Sequence, residues 1–442
     1  MRIYYLEFKE GLMTNRLNFS FRIFLLLAGV VLLAETQAQE YNILKRFQYL
    51  EDKYRTQEML RPYDNDDFVF DLSALLNTDA TDFIDEAEEV ADYEGSDQLD
   101  RAQEFLRKYD KTEQNLRVQV GLNIPFFDFS VYGIKFKPSL RATGNLGFLM
   151  GIQASNLTVQ QAVEYLGSDV PQNLKDALLT CVNDSIRGEN IITFLIDTPA
   201  CGLTEQEKQV ARQYEDENYI FPEDTSVPDI YNYVKAEARA GLYFDYIYDE
   251  HFFGAFNIYA LGRADYRVRV SADSLANDGD VADLPDDMNT TINAAIDYTL
   301  GYRNGNLTAY AGIEDLKLTT ISDNEEEGGE LIYGNDPLLR LHGEYLYKYS
   351  LFSVKPFVGI HKRASYGISE GYYAGADLGA HVWSDRIGLR LRGMVDKEHF
   401  TFSPMAKLWL MHIEYMLKTP MSSEVDGLKP ATIHSLNIRI SI

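Results

Sequence analysis

Three histidines are the first residues whose spacing invites a chemical reading. His342, His361 and His381 fall on successive alternating stretches, each among the polar residues of its stretch. Three imidazoles level across a sheet could hold a metal ion or, beside a nucleophile and a carboxylate, serve a hydrolase. Counted from the intervening turns they do not fall level, so neither a metal nor a catalytic role is expected. No nucleophile elbow, HExxH, phosphate-binding glycine loop or dinucleotide fingerprint occurs. The expectation is a protein that is not an enzyme and needs no cofactor.

A second set is charged. Lys235, Glu237, Arg239, Arg263, Asp265, Arg267, Arg269, Asp297, Asp377, Arg390 and Arg392 all occupy the polar parity of alternating runs. Lining a pore, such charges set ion selectivity. Paired between neighbouring strands, they fill and stiffen an interior. The residues leave both readings open. Two further groups offer simpler chemistry. Cys181 and Cys201 are the two cysteines, and in an exported chain such a pair is read as a disulfide. Closing that loop contributes about 3 kcal/mol on the chain-entropy estimate. The acidic stretches Ser271 to Asn289 and Asp323 to Glu330 carry hard-cation ligands but lack the ordered spacing of a calcium loop, so they read as solvated surface.

The elements that must position these charges are long alternating strands. From Val234 to Tyr246, apolar Val234, Ala236, Ala238, Ala240, Leu242 and Phe244 alternate with Lys235, Glu237, Arg239 and Asp245. Asp249-Glu250 marks a turn. Phe256, Ile258, Ala260, Ala264 and Val268 then alternate with Asn257, Arg263, Asp265, Arg267 and Arg269. Such runs are about twice the usual strand of roughly 5–6 residues and suit the roughly 9–11 residues of a bilayer-crossing strand. A charged face does not belong inside a soluble sandwich. Apolar outside and charged inside is the wall of a transmembrane barrel.

Alternation continues from Leu116 to Ile442, with Thr143-Gly144-Asn145 read as a turn, Asn304-Gly305 as a tight hairpin, and Trp409 placed on a strand with Met411, Ile413 and Tyr415. The fold class is therefore all-β, an antiparallel transmembrane β-barrel of about 12–14 strands, since single-chain barrels have an even number. Two regions depart from it. Residues 39–115 are acidic and partly helical, with a periodic stretch from Tyr41 to Arg61 ended by Pro62, and read as a plug or a periplasmic cap. Phe68 to Leu72 within them is a candidate strand. Residues 156–228 form a helical insert with capping boxes at Thr158 and Thr204, expected to lack a large core of its own and to be braced by the cysteine pair. The barrel proper is assigned to 116–442.

The N-terminus addresses the chain. Arg16 and Arg22 precede the apolar run Ile23 to Ala34, and Ala38 is a suitable cleavage residue, so residues 1–38 read as a secretory signal peptide. Formal net charge is -27, which excludes a net basic footprint for nucleic acid. Mean hydropathy is -0.26, as expected when only alternate strand residues meet lipid. Aromatic residues make up 13%, in keeping with interfacial girdles.

Signal peptide, long alternating strands, short turns, long acidic loops and a terminal strand together resemble a Gram-negative outer-membrane β-barrel protein. A non-barrel segment ahead of the barrel resembles the long-chain fatty-acid transporter type and its conjugation-associated relatives. The final strand, Ser435 to Ile442, departs from the aromatic ending usual in such barrels. The resemblance implies an outer-membrane location, contact with lipid and lipopolysaccharide, insertion by the barrel-assembly machinery, and a porin-like channel or uptake role for a small solute or hydrophobic substrate of unknown identity. A structural, adhesion or secretion-assembly barrel is the alternative, and an outer-membrane hydrolase a more distant one. The cysteine reading is directly testable: the unreduced, unfolded protein should show no thiol labelling, and two reactive thiols would refute the bond.

Overall fold

A computed structural model of the chain describes residues 42–61, 68–78, 80–91, 98–164, 171–214, 220–221, 223, 225–249, 251–270, 288–324, 336–382 and 387–442. The signal peptide reading and most of both acidic loops lie outside the described residues.

Fourteen strands close into one antiparallel barrel. They are β1 (Val69–Asn77), β2 (Glu113–Pro125), β3 (Ile134–Asn156), β4 (Ser226–Ile247), β5 (Phe252–Val270), β6 (Asn289–Asn304), β7 (Leu307–Asn324), β8 (Leu338–Tyr345), β9 (Phe352–Lys362), β10 (Tyr372–Val382), β11 (Ile387–Asp396), β12 (His399–Leu408), β13 (Met411–Pro420) and β14 (Ile433–Ser441). Each pairs with the next, and β1 closes on β14 with Val69 opposite Ser441. Two short ribbons, Phe129–Val131 and Tyr347–Tyr349, extend the hairpins β2–β3 and β8–β9.

The period-2 pattern explains the cross-section. In β1, Val69, Asp71, Ser73, Leu75 and Asn77 are buried while the residues between them are exposed. Phe70, Leu72, Val118, Val120, Ile258, Leu378 and Leu436 all lie outward and exposed. Inward, the charged residues Arg117, Lys235, Glu237, Arg263, Asp377, Arg392 and Arg439 are each no more than 5% exposed. Apolar surface is thus turned out and charge turned in, the reverse of a soluble domain and the arrangement of a transmembrane wall. Successive strands run in opposite directions, so the connections sort to two ends. One end has short turns, such as 305–306 and 409–410; the other carries the long connections 78–112, 157–225, 271–288 and 325–337. Tyr248, Tyr302, Tyr347, Tyr349 and Trp409 are exposed at the turn end, an aromatic belt of the kind that anchors a barrel at a lipid interface.

Several expectations are corrected. The barrel does not begin at Leu116: β1 is a wall strand bonded on both sides, which divides the 39–115 segment. Helix α1 (Ile43–Met59) precedes β1, and helices α2 (Ala80–Ala91) and α3 (Gln98–Tyr109) follow it. These last two pack Phe83, Phe105, Leu106 and Tyr109 on Met150 and Ile152, which have the outward parity of β3. Thr143-Gly144-Asn145 is not a turn but continuous strand, bonded to β2 and β4 along its length. A glycine in a strand interior is tolerated when both neighbours supply ladder hydrogen bonds. Trp409 is not on a strand: it turns the chain between β12 and β13 with φ of 59°. A bulky residue rarely takes that conformation, so the turn carries no glycine or asparagine to announce it. The tight hairpin near Asn304 is real but displaced by one, with Asn304 opposite Leu307 and Gly305 at φ 58°.

The insert also differs from expectation. It has its own core: Leu174, Leu178, Ile186, Ile192, Leu195, Ala211 and Phe221 are fully buried against one another. Its helices are α4 (Val159–Glu164), α5 (Gln172–Cys181), α6 (Ile191–Asp197) and α7 (Glu205–Ala211). Cys181, at the end of α5, is bonded to Cys201 beyond α6. Thr204 and Glu207 form a reciprocal capping box on α7, and the hydrogen bonds from Thr204 hold the Glu207 carboxyl below its ordinary range.

The outward row Ala240, Ala260 and Ala294 gives a test of facing. An arginine on the lipid side costs about 2–4 kcal/mol at the bilayer midplane. Ala260→Arg should abolish the heat-modifiable gel shift of the assembled barrel, whereas Arg263→Ala, on the inner face, should retain it. An equal shift in both would overturn the facing.

Candidate functional site

Helix α1 lies inside the barrel, and the residues that position it are charged. Asn42 caps it, its side-chain oxygen accepting from the N–H groups of Leu44 and Lys45 at 3.1 and 3.2 Å. Successive helical residues point about 100° apart, so neighbouring charges reach different sectors of the wall. The Arg117 guanidinium on β2 donates to Glu51 at 2.8 Å and to Glu58 at 3.1 Å. Asp52 accepts two bonds from Arg363 at 2.7 and 2.9 Å and a third from the Tyr366 hydroxyl at 2.9 Å. Lys53 donates to Asp396 at 2.8 Å and to Glu398 at 3.0 Å, at the tip of β11–β12. Arg55 pairs with Asp315 on β7 and with Glu237 on β4. Arg46 reaches Glu113 and Glu398, and Arg61 reaches Glu414 on β13 at 2.7 Å. A helix with charges in several sectors suits a lumen lined with complementary charge.

Two apolar contacts accompany the ion pairs. Along one face of α1, Ile43, Phe47, Leu50 and Tyr54 form a stripe that packs with Leu75, Leu149, Tyr233, Met416 and Ile433. Gly147 makes room there, because a Cβ at that position would stand 2.6 Å from the Phe47 ring. At the other end of the helix Leu60 packs with Phe357, Tyr373 and Met394. Below this second contact lies a cavity of about 680 Å³, open at the turn end and roofed by Met59.

The residues singled out by pattern fall into four groups. Glu237 gathers Lys235 at 2.9 Å, Arg239 at 2.7 Å and Arg263 at 3.1 Å, besides Arg55. Asp377 pairs with Arg392 at 2.8 Å and with Arg390. Asp265 accepts from the Tyr233 hydroxyl at 2.7 Å, and Asp297 from the Tyr259 hydroxyl at 2.7 Å. Arg267 and Arg269 are exposed near the loop end, with Arg269 on Asp229. The charges therefore stand in cross-strand and helix-to-wall pairs.

His342 and His361 do not fall level: the register puts His342 opposite Gly359 and His361 opposite Arg340. Both rings nevertheless stack on Tyr373, with centroids at 5.9 and 6.3 Å. Among the described residues no group of three or more His, Cys, Asp or Glu is placed to hold a metal ion. The side chain of His381 lies outside the described residues.

Pattern reading also missed residues. Arg117 and Arg340 sit on the polar parity of legible strands and were within reach. Asp315 was not: it lies at a break in the β6–β7 register with φ of 60°, where alternation fails.

Comparison with solved structures finds outer-membrane β-barrels. CdiB from Acinetobacter baumannii aligns with TM-score 0.32 and 6% identity over 85% of this chain and 60% of its own, so this chain spans less than two thirds of its length. The TodX deltaS2S3 mutant monoaromatic hydrocarbon channel gives TM-score 0.37 and 10% identity over 85% of this chain and 89% of its own. A Pseudomonas aeruginosa FadL homologue gives 0.29 and 10% over 74% and 68%. No family model matches the sequence, and no curated protein matches it.

Removing one partner from a buried ion pair costs about 3–5 kcal/mol. Lys53→Met should leave Asp396 and Glu398 undercompensated and loosen α1. Limited proteolysis should then cut within residues 43–61 at protease levels that leave the wild type intact, with the heat-modifiable shift retained. Equal protection of both proteins would show that Lys53 does not hold the helix.

Proposed function

We propose that the protein is an outer-membrane barrel for uptake of a small solute, closed by α1 and opened when that helix leaves the lumen. The observation that carries this reading is the kind of contact that holds the plug. Apart from an apolar stripe from Ile43 to Tyr54 and a contact at Leu60, α1 meets the wall through ion pairs and hydrogen bonds on its other faces. Charged surfaces separated into water are rehydrated, so parting them costs far less than parting an apolar core of the same area. A barrel built only to be rigid has no need of a separable interior. The outward apolar face, the aromatic belt and the leader-like N-terminus support an outer-membrane location, with lipid, lipopolysaccharide and the barrel-assembly machinery as partners.

One observation favours a second reading. The insert folds about its own disulfide-braced core at the loop end, as an interaction module of an adhesion or secretion-assembly barrel would.

Planar-bilayer recording separates the two. Wild type should conduct rarely or not at all, and a variant lacking residues 43–61 but still heat-modifiable should conduct steadily. An assembled deletion variant that remains silent would remove the channel and leave the second reading.

A further inference from the structure

Beneath α1 the interior holds a hollow of about 680 Å³. The hollow comes from small residues on three adjoining strands: Ala255 on β5, Thr299 on β6 and Gly312 on β7 line it. These three stand in one row across the sheet, Ala255 opposite Thr299 and Thr299 opposite Gly312. At about 680 Å³ the cavity is within the usual range for a small-molecule site, roughly 300–1,000 Å³.

Its charges decide what could enter. Three carboxylates line it, and each is already engaged. Asp245 pairs with Arg141 at 3.1 Å, and Glu314 pairs with Arg340 at 2.8 Å. Asp249 accepts the N–H groups of His251 and Phe252, both at 2.7 Å, in the β4–β5 turn. Arg303, at the end of β6, has no carboxylate within ion-pair reach among the described residues. Its guanidinium instead lies over the Phe253 ring, 5.2 Å from the centroid. The Tyr310 ring and the Met59 thioether form the inner wall and roof, in contact with each other. A guanidinium held over an aromatic face presents a planar fork for a carboxylate, and the adjoining rings accept a flat apolar body.

We infer that this cavity is a binding site for a small planar organic anion, an aromatic or conjugated carboxylate, entering from the turn end. Arg303 takes the carboxylate, Phe253 and Tyr310 flank the ring, and Met59 of the plug closes the far side. The site belongs to the closed protein and goes beyond the uptake reading. Its test needs no conduction, so failure here leaves that reading untouched, and a silent deletion variant leaves this site untouched.

The test is calorimetric titration of the detergent-solubilised, full-length protein with 1-naphthoate as probe. Saturable one-to-one binding is expected, with at least tenfold weaker binding of the uncharged 1-naphthalenemethanol. Arg303→Gln should weaken naphthoate binding at least tenfold and narrow the difference between the two probes. Ala255→Trp fills the hollow without touching a charge and should abolish binding of both. Arg303 is exposed, so its substitution keeps the assay interpretable if Ala255→Trp does not assemble. Absence of saturable binding by the wild type, or equal naphthoate affinity in wild type and Arg303→Gln, overturns the assignment.

Discussion

A charge placed inside a barrel wall must find a partner, and the structure follows from that requirement. The lumen-facing parity of most strands carries ionic side chains, and removal from water is expensive for each of them. Part of the demand is met within the wall, as when Glu237 collects Lys235, Arg239 and Arg263. The rest is met by α1, whose charges pair with wall charges on several strands. Asp315 illustrates the coupling: it joins Arg55 of the helix, Arg239 of β4 and Arg363 beyond β9. Taking the helix away would open a space and would also strand charges in three sectors of the wall.

Ion pairs of this kind add modest net stability but strong geometric specificity, because each fails when its partner shifts by a few ångströms. The apolar stripe from Ile43 to Tyr54 and the contact at Leu60 supply what the ion pairs do not, which is exclusion of water from their flanks. An apolar stripe flanked by ion pairs describes a closure that is well placed without being welded.

Much of this was legible in the residues. Period-2 alternation from Leu116 onward gives the wall and its facing, since a one-residue slip in β5 would put Arg263, Arg267 and Arg269 into lipid. The helix from Tyr41 to Arg61 was visible in its spacing. Its place was left between a plug and a periplasmic cap, because its charges suit solvent as well as a charged lumen. β1 was anticipated in part, as the candidate strand Phe68 to Leu72, but its continuation to Asn77 was not. β12 was lost because the Trp409–Leu410 turn lacks the residues that usually mark one. The split at Thr143 to Asn145 erred the other way, turn-forming residues being held in a strand by neighbours on both sides. Chain order alone could not show that the insert closes on its own core, since its apolar residues are spread among four short helices. The hollow below α1 was also invisible, as it depends on three small residues from separate strands falling in one row.

The helix comes before every strand that holds it. Lys53 meets Asp396, 343 positions later, and Arg61 meets Glu414, 353 positions later. These are among the longest-range contacts a chain of 442 residues can make, and contacts of that separation slow the search for the native state. While the chain is still being threaded, α1 has partners only on β2, β4 and the strands already in place. Its positive face stays partly unsatisfied until β11, β12 and β13 arrive just ahead of the seam between β1 and β14. Completion of the helix's pairing therefore coincides with completion of the wall. A chain that stalled before β11 would keep Lys53 without Asp396 and Glu398, and would leave Arg46 and Arg61 with only their early partners Glu113 and Asp71, a penalty against the half-built barrel.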